Sequence, residues 1–371
     1  METRAGAAAK RALARASFPE GFAGDARLIS TSSPPSSPSP PPLSLGTYPT
    51  AVQELAQASR GRCALWVKRD DLTAPLYGGN KVRKLEHLLA DARAKGATRI
   101  VTLGAVGSHH VLATTIYGRR EGFEVEAALV PQPRTDHALE VIRAGLGHGL
   151  HAMPTGGYLG VALRTAPRIL RKDTYFVMVG GTSVVGSRGY VEGARELARQ
   201  VRAGEMPEPD EIVVALGSGG TLAGIAAGLE LEGLRSRVIG VVVAEPAWLV
   251  AFHVRRHCRA CLRDAGVRGE RGWLDRRVGI DPRWLGAGYG HATEAGARAT
   301  VEAAKCGLVL DPTYTAKTYA AALARVEALQ DSPTPKTVLY WHTLSGTPVA
   351  PLLLGAPEEG AIDARVRRLL R

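Results

Sequence analysis

Two lysines stand three positions apart behind a Gly-Gly-Asn turn in "GGNKVRKLE", residues 78–86. A lysine amine that sheds its charge attacks carbonyl carbon and forms a Schiff base. Helical phase separates the pair. With Asn80 as N-cap, Val82, Leu85, Leu88, Leu89 and Ala92 form an amphipathic stripe. Lys81 shares the face of Leu85 and Leu88 and points inward, whereas Lys84 shares that of His87 and Asp91 and points to water. An inward ammonium near the positive end of a helix is disfavoured unless it is paired or neutralised. Lys81 therefore reads as a Schiff-base lysine, or as a structural cation that snorkels outward or pairs with Asp70 or Asp71.

A second stretch has the chemistry of an anion site. "EIVVALGSGGTLAGIAAGLELEG", residues 211–233, reads as strand, Gly-rich turn and helix. Backbone N–H groups of Gly217, Ser218, Gly219, Gly220 and Thr221 could converge on one anion at the helix start. The lysine-bearing phosphate loop G-x-x-x-x-G-K-[ST] is absent. The dinucleotide pattern G-x-G-x-x-G fails at Leu222, although Glu245 ends the next strand as a ribose-binding acid would. Glycine in a tight turn also has a purely steric explanation. An inward lysine together with a single-phosphate cradle suggests pyridoxal phosphate.

These groups need a scaffold that brings loops together. β-type runs occur at 99–104, 123–129, 175–181, 211–220, 237–245 and 337–343, with helical patterns between them, as at 186–201 and 221–232. Such alternation predicts an α/β fold with parallel-rich sheets covered by helices. Ligands of such sheets bind at the carboxyl ends of the strands. The chain has 371 residues, which favours two lobes. The Ser/Pro tract over 30–44 reads as part of a disordered tail spanning 1–42.

Composition narrows the function classes. No apolar run reaches the ~18–20 residues of a membrane span. Four cysteines in such a length are no disulfide framework, and a reducing cytoplasm is expected. The Arg-rich start lacks the apolar core of a secretory signal, though a transit peptide would share its composition. Net charge is +12, and residues 251–283 carry nine arginines against four acids. Without a base-stacking aromatic pattern or a DNA-binding motif, that excess reads as a solvated surface helix or insertion, and nucleic acid is not expected as a partner.

Several stretches in order resemble one family. "LWVKRDDLTAPLYGGNKVRKLEHLLADARAKGA", "TLGAVGSHH", "GGTSVVGSRGYVEGARELARQ", "LGSGGTLAG", "GYG", "GLVLDPTYTAKTYAAAL" and "WHTLSGTP" are similar to the pyridoxal-phosphate enzymes that comprise D-cysteine desulfhydrases and 1-aminocyclopropane-1-carboxylate (ACC) deaminases. The resemblance implies a two-lobed, tryptophan-synthase-β-like fold. A large cofactor lobe would combine 43–84 with 190–371, and a small lobe would span 85–189. It implies a homodimer acting on a small amino acid. Lys81 would carry the cofactor, with Asn80 beside it, residues 217–221 on its phosphate and Thr343 at its pyridine nitrogen. Ser108 and Tyr314 would be catalytic, and Ser108, His109, His110, Tyr289 and Thr315 would face the substrate. ACC deaminases resemble "DPVYEGK" and desulfhydrases "DPVYTGK"; this chain has "DPTYTAK", with Thr315, and leans to the latter. The implied reaction is β-elimination giving pyruvate, ammonia and sulfide. ACC deamination and a degenerate, non-catalytic fold remain alternatives.

Three departures fall in site loops: "GSHH" for "QSNH", "HTLSG" for "HTGG", and Ala316 for glycine. His109 thus replaces an asparagine expected to donate to the cofactor, and Gly107 replaces a glutamine. His253, His257, Cys258 and Cys261 in "HVRRHCRAC" have suggestive spacing for zinc, yet no metal is expected in this family. Cys63 and Cys306 read as small core residues, and Asp70 and Asp71 as structural partners of Lys68, Arg69 or helix starts.

Overall fold

The computed structural model describes residues 39–244 and 247–371. Most of the expected tail and Glu245 lie outside the described residues. The described chain builds two sheets. The larger comprises β1 (Val52–Glu54), β2 (Cys63–Lys68), β7 (Glu211–Leu216), β8 (Arg237–Val242), β9 (Val278–Asp281) and β10 (Lys336–Trp341). Its order is β1-β2-β10-β7-β8-β9, with only β1 antiparallel to its neighbour. The smaller comprises β3 (Arg99–Ala105), β4 (Glu124–Val130), β5 (Leu150–Pro154) and β6 (Thr174–Val177), in the parallel order β5-β4-β3-β6. Near-continuous apolar runs such as "TVLYW" and "VIGVV" are what parallel strands buried on both faces require.

The helix Lys81–Ala94 stands between the sheets. Its Leu85, Leu88, Leu89 and Ala92 join the core of the four-stranded sheet. Its other side meets the helix Val184–Arg202 so closely that a Cβ at Gly189 would lie 2.0 Å from the Arg83 carbonyl oxygen. Buried on both sides, this helix corrects the one-faced reading: Lys84 does not point to water but is 2% exposed. Helix Gly220–Glu232 is buried along most of its length and packs on Val184–Arg202, so its small residues serve close contact.

A buried ionic cluster clamps the lysine helix to the large sheet. The Arg83 guanidinium donates to both oxygens of Asp70, at 2.8 and 2.9 Å, and to both oxygens of Glu196, each at 3.0 Å. Lys68 donates to Glu196 and Gln200, while Tyr190 and Trp341 donate to Asp70, each at 2.8 Å. Asp71 instead pairs with Arg69 at 2.7 Å.

Two expectations shift. Val349, Leu352, Ile362, Val366, Leu369 and Leu370 join the core around the four-stranded sheet, so the end of the chain departs from the expected assignment of 190–371 to the larger lobe. The Arg-rich stretch is no wholly solvated helix, because Val254, Cys258, Cys261 and Leu262 of the helix Ala247–Asp264 are buried against Gly220–Glu232, and β9 also lies in this stretch. Among the described residues no helix is long and apolar enough to cross a membrane.

Candidate active site

Lys81 begins its helix, and its Nζ donates to the Asn80 side-chain oxygen. Asn80 occupies the N-cap position without capping. Its amide instead reaches across the fold to donate to Thr221 Oγ1 at 3.2 Å, and its backbone N–H donates to the Thr343 carbonyl at 3.1 Å. One residue thus links the lysine, the Gly-rich turn after β7 and the end of β10. Burial pushes the Lys81 amine down to about 8, with Asp311 pulling the other way.

The Gly-rich turn joins β7 to the helix Gly220–Glu232. Gly219 has φ +91°, a left-handed conformation suited to glycine, and a Cβ there would lie 2.6 Å from Val254. Gly220 opens the helix, where unpaired backbone N–H groups attract anions. A Cβ on Gly220 would meet Thr182 Oγ1 at 2.8 Å, Lys84 Nζ at 3.1 Å and Ser187 Oγ at 3.3 Å. Thr182 Oγ1 also lies 2.6 Å from Ser218 Oγ. Lys84 and Thr182, which sequence reasoning missed, thus stand against the same turn. The signal for Thr182 was present in "GGTS", just after β6.

Lys84 donates to the Gly180 carbonyl at 2.9 Å. Burial, and then the nearby Lys81 charge, hold its amine well below the ordinary lysine range. Two buried amines beside a ring of N–H and hydroxyl donors make a site short of negative charge. A phosphate monoester dianion supplies that charge and accepts from these donors, so the residues present fit the phosphate of pyridoxal phosphate.

The tyrosine pair closes another side. Tyr314 donates to the Tyr289 hydroxyl at 2.7 Å, with the rings edge to face at 5.7 Å. A Cβ on Gly217 would lie 3.7 Å from the Tyr314 ring, so the tyrosine stands beside the cradle. Burial, followed by Tyr289, raises the Tyr314 phenol well above its ordinary range. Asp311 sets this turn by accepting from the N–H groups of Thr313, Tyr314 and Thr315. Thr315 is 1% exposed and donates to Asp311 Oδ2 at 2.7 Å. It thus supports Asp311 and Tyr314, a correction to its expected place facing substrate. Asp311 was legible only as a letter of "DPTYT", not as the charge around which this corner is organised.

The "GSHH" loop divides its residues. Ser108 is the N-cap of the helix His109–Arg120. His110 turns away, its Nε2 2.9 Å from Thr102 Oγ1 on β3, and it is absent from the cavity wall. His109 lines a cavity of about 70 Å³ with Gln132, His137, Tyr289, Asp311 and Tyr314, several times the ~10–15 Å³ that one water needs. Its Nδ1 lies 2.5 Å from the Tyr77 hydroxyl and its Nε2 lies 2.9 Å from His137 Nε2. Of the zinc candidates, Cys258 and Cys261 are buried in the core and His257 bonds Ser187 Oγ at 2.8 Å, so each has a packing role.

Known proteins match this chain in sequence and fold. The family described as pyridoxal-phosphate dependent enzyme matches residues 43–343. A D-cysteine desulfhydrase of Salmonella paratyphi C is 34% identical over 319 residues, covering 82% of this chain and 93% of that protein. A Pyrococcus furiosus protein provisionally named 1-aminocyclopropane-1-carboxylate deaminase is 33% identical over 316 residues, covering 83% and 93%. The crystal structure of an ACC deaminase homologue superposes with a TM-score of 0.70 at 27% identity, covering 85% of this chain and 96% of that one. With residues 43–343 matched and relatives above 30% identical over most of the chain, the chain belongs to the family of pyridoxal-phosphate-dependent enzymes.

Proposed function

We propose that this enzyme is an amino-acid lyase of the D-cysteine desulfhydrase type, converting D-cysteine and water to pyruvate, ammonia and hydrogen sulfide. The observation that carries it is the Asn80 bridge, which holds the Lys81 amine beside the Gly-rich phosphate cradle. Pyridoxal phosphate bound there supplies the electron sink for negative charge developing at Cα. Residues 217–221, Thr182 and Lys84 would hold its phosphate, and Thr343 would face its ring.

The chain's own groups then have distinct tasks. Lys81, with its amine near 8, is partly neutral at physiological pH and can attack a carbonyl carbon or take the Cα proton. The N–H groups at the start of the helix His109–Arg120 would orient the substrate carboxylate, with Ser108 shaping that turn. Burial, and then Tyr289, hold the Tyr314 phenol in its protonated form, so beside the cradle it would act as a hydrogen-bonding group that orients substrate. Thr315 bears on this corner only through Asp311 and the Tyr314 turn, but where ACC-deaminase-like sequences carry glutamate it brings no carboxylate, which supports the desulfhydrase reading.

ACC deamination is the second reading, favoured by the Pyrococcus relative and the structural neighbour. We further infer a homodimer in a reducing cytoplasm, consistent with four free cysteines; light scattering of the purified protein tests the dimer. The decisive assay offers both substrates. D-Cysteine should give sulfide and pyruvate in equal amounts, and Lys81→Ala should abolish both. If D-cysteine yields neither product while ACC yields 2-oxobutanoate and ammonia, the second reading replaces the first.

A further inference from the structure

We propose that Gln132 binds the substrate carboxylate, its side-chain amide entering the cavity in the space that Gly107 leaves open. The proposal rests on the reading that the site takes an amino acid, and it names the side chain that selects the carboxylate.

Gln132 follows β4 and lines the cavity with Gly107, His109, Tyr289 and Tyr314. Two members of the same wall, His109 and Asp311, lie within electrostatic reach of the Lys81 amine, which places the wall in the neighbourhood of the reactive group. The amide is oriented by its partner. Its Oε1 accepts from the Gly107 N–H at 3.1 Å. A backbone N–H can only donate, so the amide oxygen is committed to that side and Nε2 keeps two protons for another acceptor. Among the described residues no acceptor meets Nε2. A carboxylate oxygen is the acceptor that such a donor holds most strongly.

The other strong groups of the wall are already engaged. Asp311 accepts from the N–H groups of Thr313, Tyr314 and Thr315 and from Thr315 Oγ1, so its charge is met by four donors within its own turn. His109 lies between the Tyr77 hydroxyl and His137. The wall therefore presents an uncommitted donor in Gln132, while its acid is satisfied.

Sheet register brings Gly107 and Gln132 together. β3 and β4 run parallel with Ala105 opposite Val130, so the two residues leave the sheet side by side. A Cβ at Gly107 would lie 2.8 Å from Gln132 Nε2 and 2.6 Å from Ala138 Cβ. Where the resembling sequences carry a glutamine at 107, the amide of Gln132 thus fills that space from the neighbouring strand's exit. The Gln132 backbone is fixed as well. Its N–H donates to the Leu369 carbonyl at 3.0 Å and its carbonyl accepts from the Arg371 N–H at 3.1 Å, a parallel bridge to a segment whose Leu369 and Leu370 are buried. An amide held in this way loses little freedom when substrate binds.

The test uses the cofactor-loaded full chain, with glycine and methylamine as probes that differ only in the carboxylate. The visible absorbance of the cofactor reports the binding of either. Gln132→Leu should weaken glycine about tenfold, at the low end for a hydrogen bond to a charged group, and leave methylamine as in the wild type. Gln132→Glu keeps an oxygen for the Gly107 N–H but turns a negative charge on the probe, so it should weaken glycine further. A merely structural glutamine would tolerate that change. Glycine bound equally by the wild type and Gln132→Leu, a loss shared with methylamine, or a Gln132→Glu variant that binds glycine like the wild type overturns the proposal. So does a wild type that glycine does not affect. With D-cysteine, KM should rise about tenfold in Gln132→Leu while kcat stays close to wild type, and a fall in kcat at unchanged KM refutes the assignment. A wild type that turns over neither D-cysteine nor ACC while the glycine pattern holds removes the lyase reading and leaves Gln132 in its role.

Discussion

Replacing Lys81 by methionine should make the cofactor-free protein more stable while abolishing attachment of the cofactor. Burial lowers the amine from its ordinary 10.5 to about 8, against the pull of Asp311. That fall corresponds to about 3 kcal/mol of unfavourable free energy whenever the amine is charged in both states. Methionine removes the charge and keeps most of the apolar stem, but Asn80 loses a donor, which costs about 1 kcal/mol. A net gain of about 2 kcal/mol at pH 7 is expected. The sign follows from linkage. Because the folded-state value is depressed, the penalty is complete below pH 8, relieved between 8 and 10.5, and absent above. Urea unfolding of both apoproteins at pH 7, 9 and 10 measures the gap, which should narrow as the wild type gains stability. A methionine variant less stable than wild type at pH 7, or a gap indifferent to pH, would refute the reasoning that Lys81 is a buried and unmatched cation.

Other perturbations separate the remaining parts of the site. Lys84→Met should weaken pyridoxal phosphate by at least about tenfold, the loss of one charge-assisted bond of roughly 1.5–3 kcal/mol, as read from absorbance titration. An affinity equal to wild type would remove Lys84 from the cradle. Arg83→Met leaves Asp70 and Glu196 buried with one cation fewer and should cost about 3–5 kcal/mol in unfolding experiments; a loss below about 1 kcal/mol would mean that the cluster is not a clamp. His109 and His257 are both pushed down to about 4 by burial. Their depressed values favour the neutral rings, so stability is full above about pH 6.5 and falls towards pH 4, by on the order of 3 kcal/mol for His257 alone. Removing that ring with His257→Gln should flatten the acid limb of the stability profile.

The sequence carried the scaffold further than the site. Strands with long β-branched runs, such as β7, β8 and β10, were legible because parallel strands buried on both faces show as unbroken apolar stretches. β5, "LHAMP", and the three-residue β1 lack that signature and went unread. Lys81 was placed inward correctly, yet the same helical phase put Lys84 in water. Phase identifies one apolar face, and the helix Lys81–Ala94 is covered on two, by the small sheet's core and by Val184–Arg202. Lys84 was therefore hidden by its own polarity, being buried with its amine on the Gly180 carbonyl beside the Gly-rich turn. Thr182 and His137 meet partners far away in the chain, Ser218 and His109, and local spacing carries no trace of such meetings.

The Arg83 clamp shares no residue with the wall of the cavity. Two residues along the helix from Lys81, it anchors the reactive amine through Asp70 and Glu196, while the cavity draws on Gly107, His109, Gln132 and His137. Anchorage of the lysine helix and the shape of the cavity are thus written in separate sets of positions. Substitutions at 107, 109, 132 and 137 reshape the cavity without touching the residues that anchor the lysine helix. Variation at 70, 83 or 196 disturbs every substrate alike.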